Sequence, residues 1–122
     1  MGFKIKEVSA IRIFAKDLKK SRDWYQSLFN QEPTEDLEFF VSFNVGGTCF
    51  DITVPDAKNP LSSGGTVAYW LVDDIESVLK RVEELGGKLY RGPLKVSETQ
   101  RVIMQIQDPF GNVLGFESPL TS

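Results

Sequence analysis

The chain has 122 residues, of which 41% are hydrophobic and 25% charged, and 17 acidic residues against 14 basic ones give a net charge of −3. This length and composition indicate one soluble domain, exclude a membrane span for lack of a long apolar run, and disfavour a nucleic acid partner because the charge has the wrong sign. There is no histidine, so a Ser-His-Asp or Cys-His nucleophile is excluded and any metal site would depend on carboxylates.

The beginning of the chain predicts a strand and an amphipathic helix. It lacks the apolar core of a secretory leader, and we therefore expect a cytoplasmic protein. Residues 7–15 alternate in hydrophobicity, as a half-buried strand does. Asp17 is a good N-cap for a helix over 18–29, whose larger apolar side chains fall mostly on one stripe. Asn30 is expected to end this helix.

The next stretch predicts a hairpin followed by a linker. Residues 38–44 and 48–54 are rich in aromatic and β-branched residues, and Gly46-Gly47 provides a turn between them. Cys49 is the single cysteine of the chain, and we expect it to be a buried, inert side chain within the second strand. Residues 56–65 are polar and rich in Pro, Gly and Ser, which is typical of a linker.

The second half repeats the pattern of a strand and a helix. Asp73 and Glu76 suggest a capping box, and apolar residues at helical spacing predict a helix over 75–85. Gly86 provides the left-handed position that ends such a helix. Strands are predicted on either side of this helix at residues 66–72, 88–91 and 101–107, with a loop over 92–100.

A turn and a final strand close the chain. Asp108-Pro109-Phe110-Gly111-Asn112 combines turn residues, and residues 113–117 alternate after it. The period of two places Leu114 and Phe116 on a core face and Gly115 and Glu117 on the opposite face. A functional group in this strand would therefore lie on the second face.

The order of these elements is the same in both halves. Each half reads strand, Asp cap, helix and three strands, and the cap acids Asp17 and Asp73 are 56 residues apart (73 − 17). We therefore predict an α+β fold with two βαβββ modules in one domain, spanning residues 1–55 and 66–122. Trp24 and Trp70 fall on helix-facing positions in these modules and are expected in the core.

Two motifs make the chain similar to the vicinal oxygen chelate superfamily, which includes glyoxalase I, bleomycin-resistance proteins and extradiol dioxygenases. They are the strand followed by Asp17-Leu18-Lys19-Lys20-Ser21-x-x-Trp24-Tyr25, and the Asp108-Pro109-x-Gly111-Asn112 turn. The resemblance spans essentially the whole chain. It implies a curled mixed sheet around one cleft, usually completed in a homodimer.

The resemblance also implies where metal ligands would lie. Metal-dependent members carry a ligand on the first and last strand of each module, and those places fall here on Ala10, Asp51, Val67 and Gly115. Only Asp51 can coordinate a cation, so we expect no metal, no other cofactor, and neither glyoxalase I nor dioxygenase chemistry. A shifted site of Asp51 and Glu117 for a hard divalent cation is the alternative.

The side chains expected to line the cleft combine apolar groups with a few polar ones, as ligand pockets do. Candidate ligand-binding residues are Arg12, Phe14, Cys49, Asp51, Tyr69, Arg101, Ile103, Gln105 and Glu117. One interpretation is that Arg12 pairs with an acid in a buried ion pair that binds nothing. A second is that Arg12 holds an anionic group.

Two classes of function remain open. The first is a metal-free binding protein of the bleomycin-resistance type, which sequesters a flat or cationic small molecule in a dimeric cleft. The second is a small lyase or isomerase in which Asp51 or Glu117 acts as general acid or base, with or without a hard divalent cation. The residues favour binding, and they do not identify the ligand.

Overall fold

The structure, a computed structural model, describes residues 6–61, 67–97 and 99–120 of the chain. Its first half contains β1 (Ala10–Phe14), α1 (Leu18–Phe29), β2 (Glu35–Asp36), β3 (Phe40–Val45) and β4 (Thr48–Thr53). Its second half contains β5 (Tyr69–Leu71), α2 (Ile75–Glu84), β6 (Lys88–Val96), β7 (Arg101–Gln107) and β8 (Val113–Pro119). Residues 62–65 of the predicted linker, Thr66 of the predicted strand and Glu98 of the predicted loop lie outside the described residues.

The strands form two four-stranded mixed sheets with the same topology. The order is β1-β4-β3-β2 in the first sheet and β5-β8-β7-β6 in the second. In each sheet the first strand pairs in parallel with the last, and the other neighbours are antiparallel. The predicted α+β fold of two βαβββ modules is confirmed. Neither α1 nor α2 has the length and apolar character that a bilayer crossing requires.

Both helices begin at an acidic cap, and the second cap corrects the sequence prediction. The Asp17 side chain accepts from the Lys20 backbone N–H, and α1 ends at left-handed Asn30, as predicted. The N-cap of α2 is Asp74, whose side chain accepts from the Glu76 N–H, so the prediction of Asp73 was wrong. The two caps are thus 57 residues apart (74 − 17).

Two strands, β6 and β2, differ from the sequence prediction in more than the positions of their ends. β6 runs over Lys88–Val96 and includes much of the predicted loop, because pairing with β7 continues past two register shifts around Arg91 and resumes at Leu94 opposite Ile103. Such register shifts allow a strand that contains Gly92-Pro93 to remain paired with its neighbour on both sides of these two residues. β2 was implied by the repeat of three strands after each helix but was not located in the sequence, because its two acidic residues carry no apolar signal.

The two modules share one hydrophobic core. α1 covers one face of the first sheet and α2 covers one face of the second, and these helix-bearing faces meet. The Trp70 ring of β5 lies 6.3 Å from the Phe29 ring of α1 and 5.5 Å from the Phe50 ring of β4. The Trp24 indole N–H donates to the Leu85 carbonyl at 2.6 Å. Both tryptophans pack in or against the core, as predicted. We call the opposite face of each sheet its outer face.

Candidate functional site

Each outer face carries a row of three side-chain positions in cross-strand register, and the two rows are equivalent. The first row is Arg12 on β1, Asp51 on β4 and Ser42 on β3. The second row is Tyr69 on β5, Gly115 on β8 and Gln105 on β7. Arg12 and Tyr69 are 57 positions apart (69 − 12), as are the two helix caps. The duplicated modules therefore present two different groups of side chains at one structural position.

The first row is an ion pair whose acid is buried and whose base is not. The Arg12 Nη2 donates to Asp51 Oδ2 at 3.1 Å, and the Ser42 hydroxyl donates to Asp51 Oδ1 at 2.7 Å. The Asp51 side chain is 6% exposed, whereas the Arg12 side chain is 53% exposed. The guanidinium also lies over the Phe40 ring, 5.6 Å from its centroid. The prediction of a buried ion pair therefore holds for Asp51 but not for Arg12. The charged group that this row exposes to solvent is the positive guanidinium of Arg12.

The second row is an aromatic ring laid over a glycine. A Cβ atom built on Gly115 would lie 2.5 Å from Tyr69 Cδ2 and 2.7 Å from both Cε2 and Cγ. Only glycine lets the ring lie this close to the backbone of β8. The Gln105 amide on β7 donates to the Tyr69 hydroxyl at 2.7 Å, so the tyrosine spans from β5 across β8 to β7. This hydrogen bond fixes the direction of the ring.

The other predicted ligand-binding residues lie on the same outer faces. Phe14 is half-buried beside the first row, and Cys49 is exposed, so the expectation of a buried thiol was wrong. Ile103 lies opposite Glu117 across β7 and β8, and Glu117 Oε1 is 3.8 Å from Arg101 Nε. Both carboxylates that the sequence offered as general acid or base are therefore paired with an arginine.

The rows lie on separate outer faces in a single chain. Their helix-bearing faces are packed into the shared core, and the side-chain hydrogen bonds of Arg12, Asp51 and Tyr69 stay within their own sheets in the described part of the chain. One chain therefore brings together the three members of each row. It does not bring the two rows together.

The residues present do not fit a metal ion. Among residues 6–61, 67–97 and 99–120, no group of three or more His, Cys, Asp or Glu could hold one. Both oxygens of Asp51 already accept hydrogen bonds, and the Tyr69 ring covers the place at Gly115. A divalent cation needs several oxygen or nitrogen ligands converging at about 2 to 2.5 Å. The described residues therefore offer no set of ligands through which a metal ion could act.

Sequence reasoning missed Ser42 as a member of the site. The signal was available, because Ser42 and Asp51 are equally distant from the Gly46-Gly47 turn and so face each other in the hairpin. The contact between Tyr69 and Gly115 depends on the parallel pairing of β5 with β8, which strand alternation alone does not give.

Two βαβββ modules with parallel first and last strands define a class of fold, and a comparison with family models identifies the family. The model of the glyoxalase/bleomycin resistance protein/dioxygenase superfamily matches residues 7–116, and the chain belongs to this superfamily. This confirms the resemblance found in the sequence. A comparison with curated proteins gives no significant match.

Solved structures share the fold at low sequence identity. A glyoxalase/bleomycin resistance protein/dioxygenase family enzyme from Burkholderia phytofirmans PsJN is 18% identical, with 94% of this chain and 100% of that chain covered and a TM-score of 0.79. The fosfomycin resistance protein FosX from Listeria monocytogenes is 18% identical, with 94% of each chain covered and a TM-score of 0.76. FosX complexed with manganese(II) and sulfate gives 17% identity, coverage of 95% and 92%, and a TM-score of 0.77.

Proposed function

We propose that this protein binds a flat or cationic small molecule without a metal, in a cleft formed between the outer faces of two copies of the chain. The observation that carries the proposal is the second row. At Gly115, where the family resemblance implies a metal ligand, the protein has an aromatic ring held in place by Gln105. A rigid, partly exposed aromatic group with one polar tether is a typical feature of ligand pockets.

The open outer faces support assembly into a homodimer. Within the described part of one chain the helix-bearing faces pack into the core, and no other sheet covers the face that carries each row. Leu71, on edge strand β5, is 59% exposed on the outer face of the second sheet. Pairing the first outer face of one copy with the second outer face of another would cover such groups and enclose a cleft.

The pairing of the acids supports binding over proton transfer. A general base needs a carboxylate that can reach its substrate, and Asp51 is buried with both oxygens engaged. Glu117 is more accessible, but Arg101 lies beside it. These contacts favour a structural role for Asp51 and Glu117 in a binding site over proton exchange with a substrate.

The test combines ligand-dependent thermal unfolding with light scattering. We expect some members of a panel of small planar and cationic compounds to raise the melting temperature with increasing concentration, and the particle mass to be twice the 13.7 kDa of one chain. Mass spectrometry of the recovered compounds should show no product. Turnover of a bound compound, or a panel without any stabilising member, would overturn the proposal.

Two leucines provide a matched pair of variants. Leu71 and Leu37 are both 59% exposed, and only Leu71 lies on an outer face beside a row. We expect Leu71→Ser to weaken dimerisation or ligand protection, whereas Leu37→Ser should leave both unchanged. Equal effects of the two variants would contradict the placement of the cleft.

A further inference from the structure

The geometry of Tyr69 allows the class of ligand to be narrowed. We infer that the ligand of this site is a planar aromatic compound whose ring stacks on the outward face of the Tyr69 ring, with Gly115 and Gln105 as positioning residues. This inference rests on the proposed function, from which it selects the flat ligand over the cationic one.

The Tyr69 ring lies with one face on the backbone of β8. A Cβ built on Gly115 would be almost equally distant from Cγ, Cδ2 and Cε2 of the ring, at 2.5 to 2.7 Å. An atom above a ring face has this relation to three consecutive ring atoms, whereas an atom approaching the edge would be clearly farther from two of them. The ring is therefore parallel to the sheet surface at this point and forms a flat platform.

The platform is rigid and its other face is accessible. The hydrogen bond from Gln105 holds the hydroxyl end, and Gly115 lies beneath the Cδ2 side of the ring. Tyr69 is nevertheless 39% exposed, and because one ring face is covered, this exposure belongs to the outward face and the edges. An aromatic ligand would gain stacking and apolar contact there without having to order the tyrosine first.

The surrounding charges disfavour a cation as the main ligand. A tyrosine ring can hold a cation over its face, and a nearby unpaired carboxylate would add Coulombic attraction to the cation. Glu117, two residues beyond Gly115 on the same face of β8, is 3.8 Å from the Arg101 guanidinium. Asp51, which occupies the place of Gly115 in the other module, accepts hydrogen bonds from Arg12 and Ser42. Neither acid is available to neutralise a bound cation.

The experiment compares three compounds that differ in planarity and in charge. The probes are 2-naphthoate, its saturated counterpart decahydro-2-naphthoate, and tetramethylammonium, with binding to the full chain measured by calorimetry. We expect 2-naphthoate to bind and the other two to bind at least about tenfold more weakly, because only the naphthyl ring can stack.

Three variants test the platform itself. Tyr69→Leu removes the ring and Gly115→Ala forces it off β8, and each should weaken 2-naphthoate binding about tenfold or more. Tyr69→Phe keeps the ring but loses the hydrogen bond from Gln105, and it should weaken binding less than Tyr69→Leu does. Tyr90→Leu removes a tyrosine that is 50% exposed on β6 and serves as the control that should bind like the wild type.

The outcomes separate this inference from the proposed function. Equal binding of 2-naphthoate and decahydro-2-naphthoate, or full binding by Tyr69→Leu, would overturn the inference while leaving a binding protein. Tighter binding of tetramethylammonium than of 2-naphthoate would do the same. If Tyr69→Leu is monomeric while the wild type is dimeric, Tyr69 is a subunit contact and the inference fails. If no compound of the broader panel stabilises the wild type, the proposed function fails as well.

Discussion

The Tyr25 hydroxyl donates a hydrogen bond to the Asp108 carboxylate, 83 residues away along the chain, and both side chains are buried. Asp108 also accepts from the backbone N–H groups of Phe110 and Asn112 at 2.9 and 2.8 Å and from the Asn112 amide at 3.1 Å. Each carboxylate oxygen thus accepts two hydrogen bonds. Two landmarks of the family, the Trp-Tyr pair on α1 and the Asp-Pro-x-Gly-Asn turn, are one structural unit that fastens the first module to the second.

Removing the Tyr25 hydroxyl should therefore destabilise the whole domain. We expect Tyr25→Phe to lower the free energy of unfolding by about 1.5 to 3 kcal/mol, since a hydrogen bond to a buried charged acceptor is lost. Urea denaturation measures this. Tyr90→Phe changes an exposed tyrosine and should stay within about 0.5 kcal/mol of the wild type. A Tyr25→Phe variant as stable as that control would show that the contact does not join the modules energetically.

The same residue predicts how stability depends on alkaline pH. Burial raises the pKa of Tyr25 well above its ordinary value of 10.0, and the Asp108 carboxylate raises it further. The unfolded chain loses this proton near pH 10 while the folded chain keeps it, so the Tyr25 contribution to stability is complete below pH 10 and decreases as the pH rises above it. The stability difference between wild type and Tyr25→Phe should therefore narrow above pH 10. Parallel stability curves for the two proteins would contradict this.

Asp51→Asn tests the first row. The variant keeps the shape of the side chain and weakens the interactions with Arg12 and Ser42, and we expect a loss of about 1 to 2 kcal/mol in chemical denaturation. The loss is moderate because the Arg12 side chain is 53% exposed and water can solvate its charge. Asp36→Asn breaks an exposed pair with Arg22 and should change stability by less than about 1 kcal/mol. The moderate loss in Asp51→Asn applies to the dissociated chain; in the proposed dimer a second copy would shield Arg12 from water, and the loss should rise toward about 3 to 5 kcal/mol.

Metal content is expected to be substoichiometric. Of the four places implied for ligands, only Asp51 carries a donor, and its oxygens are already engaged. Elemental analysis of protein purified without an affinity tag should find less than one zinc, nickel, iron or manganese per chain, and added manganese should not raise the melting temperature. One tightly held metal per chain would overturn the assignment of this site.

Sequence patterns predicted the elements whose signal is local. The spacing of Ile75, Val78, Leu79 and Val82 predicted α2, and Asn30 and Gly86 marked both helix ends. The predicted strand for β6 was too short because Gly92-Pro93 is typical of a loop. In the structure, pairing with β7 continues beyond these two residues. Two adjacent acids, Asp73 and Asp74, are equally good caps by composition, and only the backbone distinguishes them.

The site was predictable to the extent that it follows strand alternation. Alternation placed Arg12, Asp51 and Tyr69 on outer faces, as the structure has them. It could not show that the Tyr69 ring crosses β8, because that contact depends on strand order and on the missing side chain of Gly115. It also could not show that the helix-bearing faces of the two modules meet, because contacts such as Trp70 on Phe50 are between modules.

The shared core has a consequence for how the protein folds. The Trp24 indole reaches the end of α2 and the Trp70 ring packs on α1 and β4, so neither half can close its own core. The duplicated halves should therefore unfold as one cooperative unit. In hydrogen exchange, the slowest amide protons of both halves should give the same free energy of opening. A fragment ending at residue 61 should remain unfolded in isolation and acquire native structure only when the other half is added.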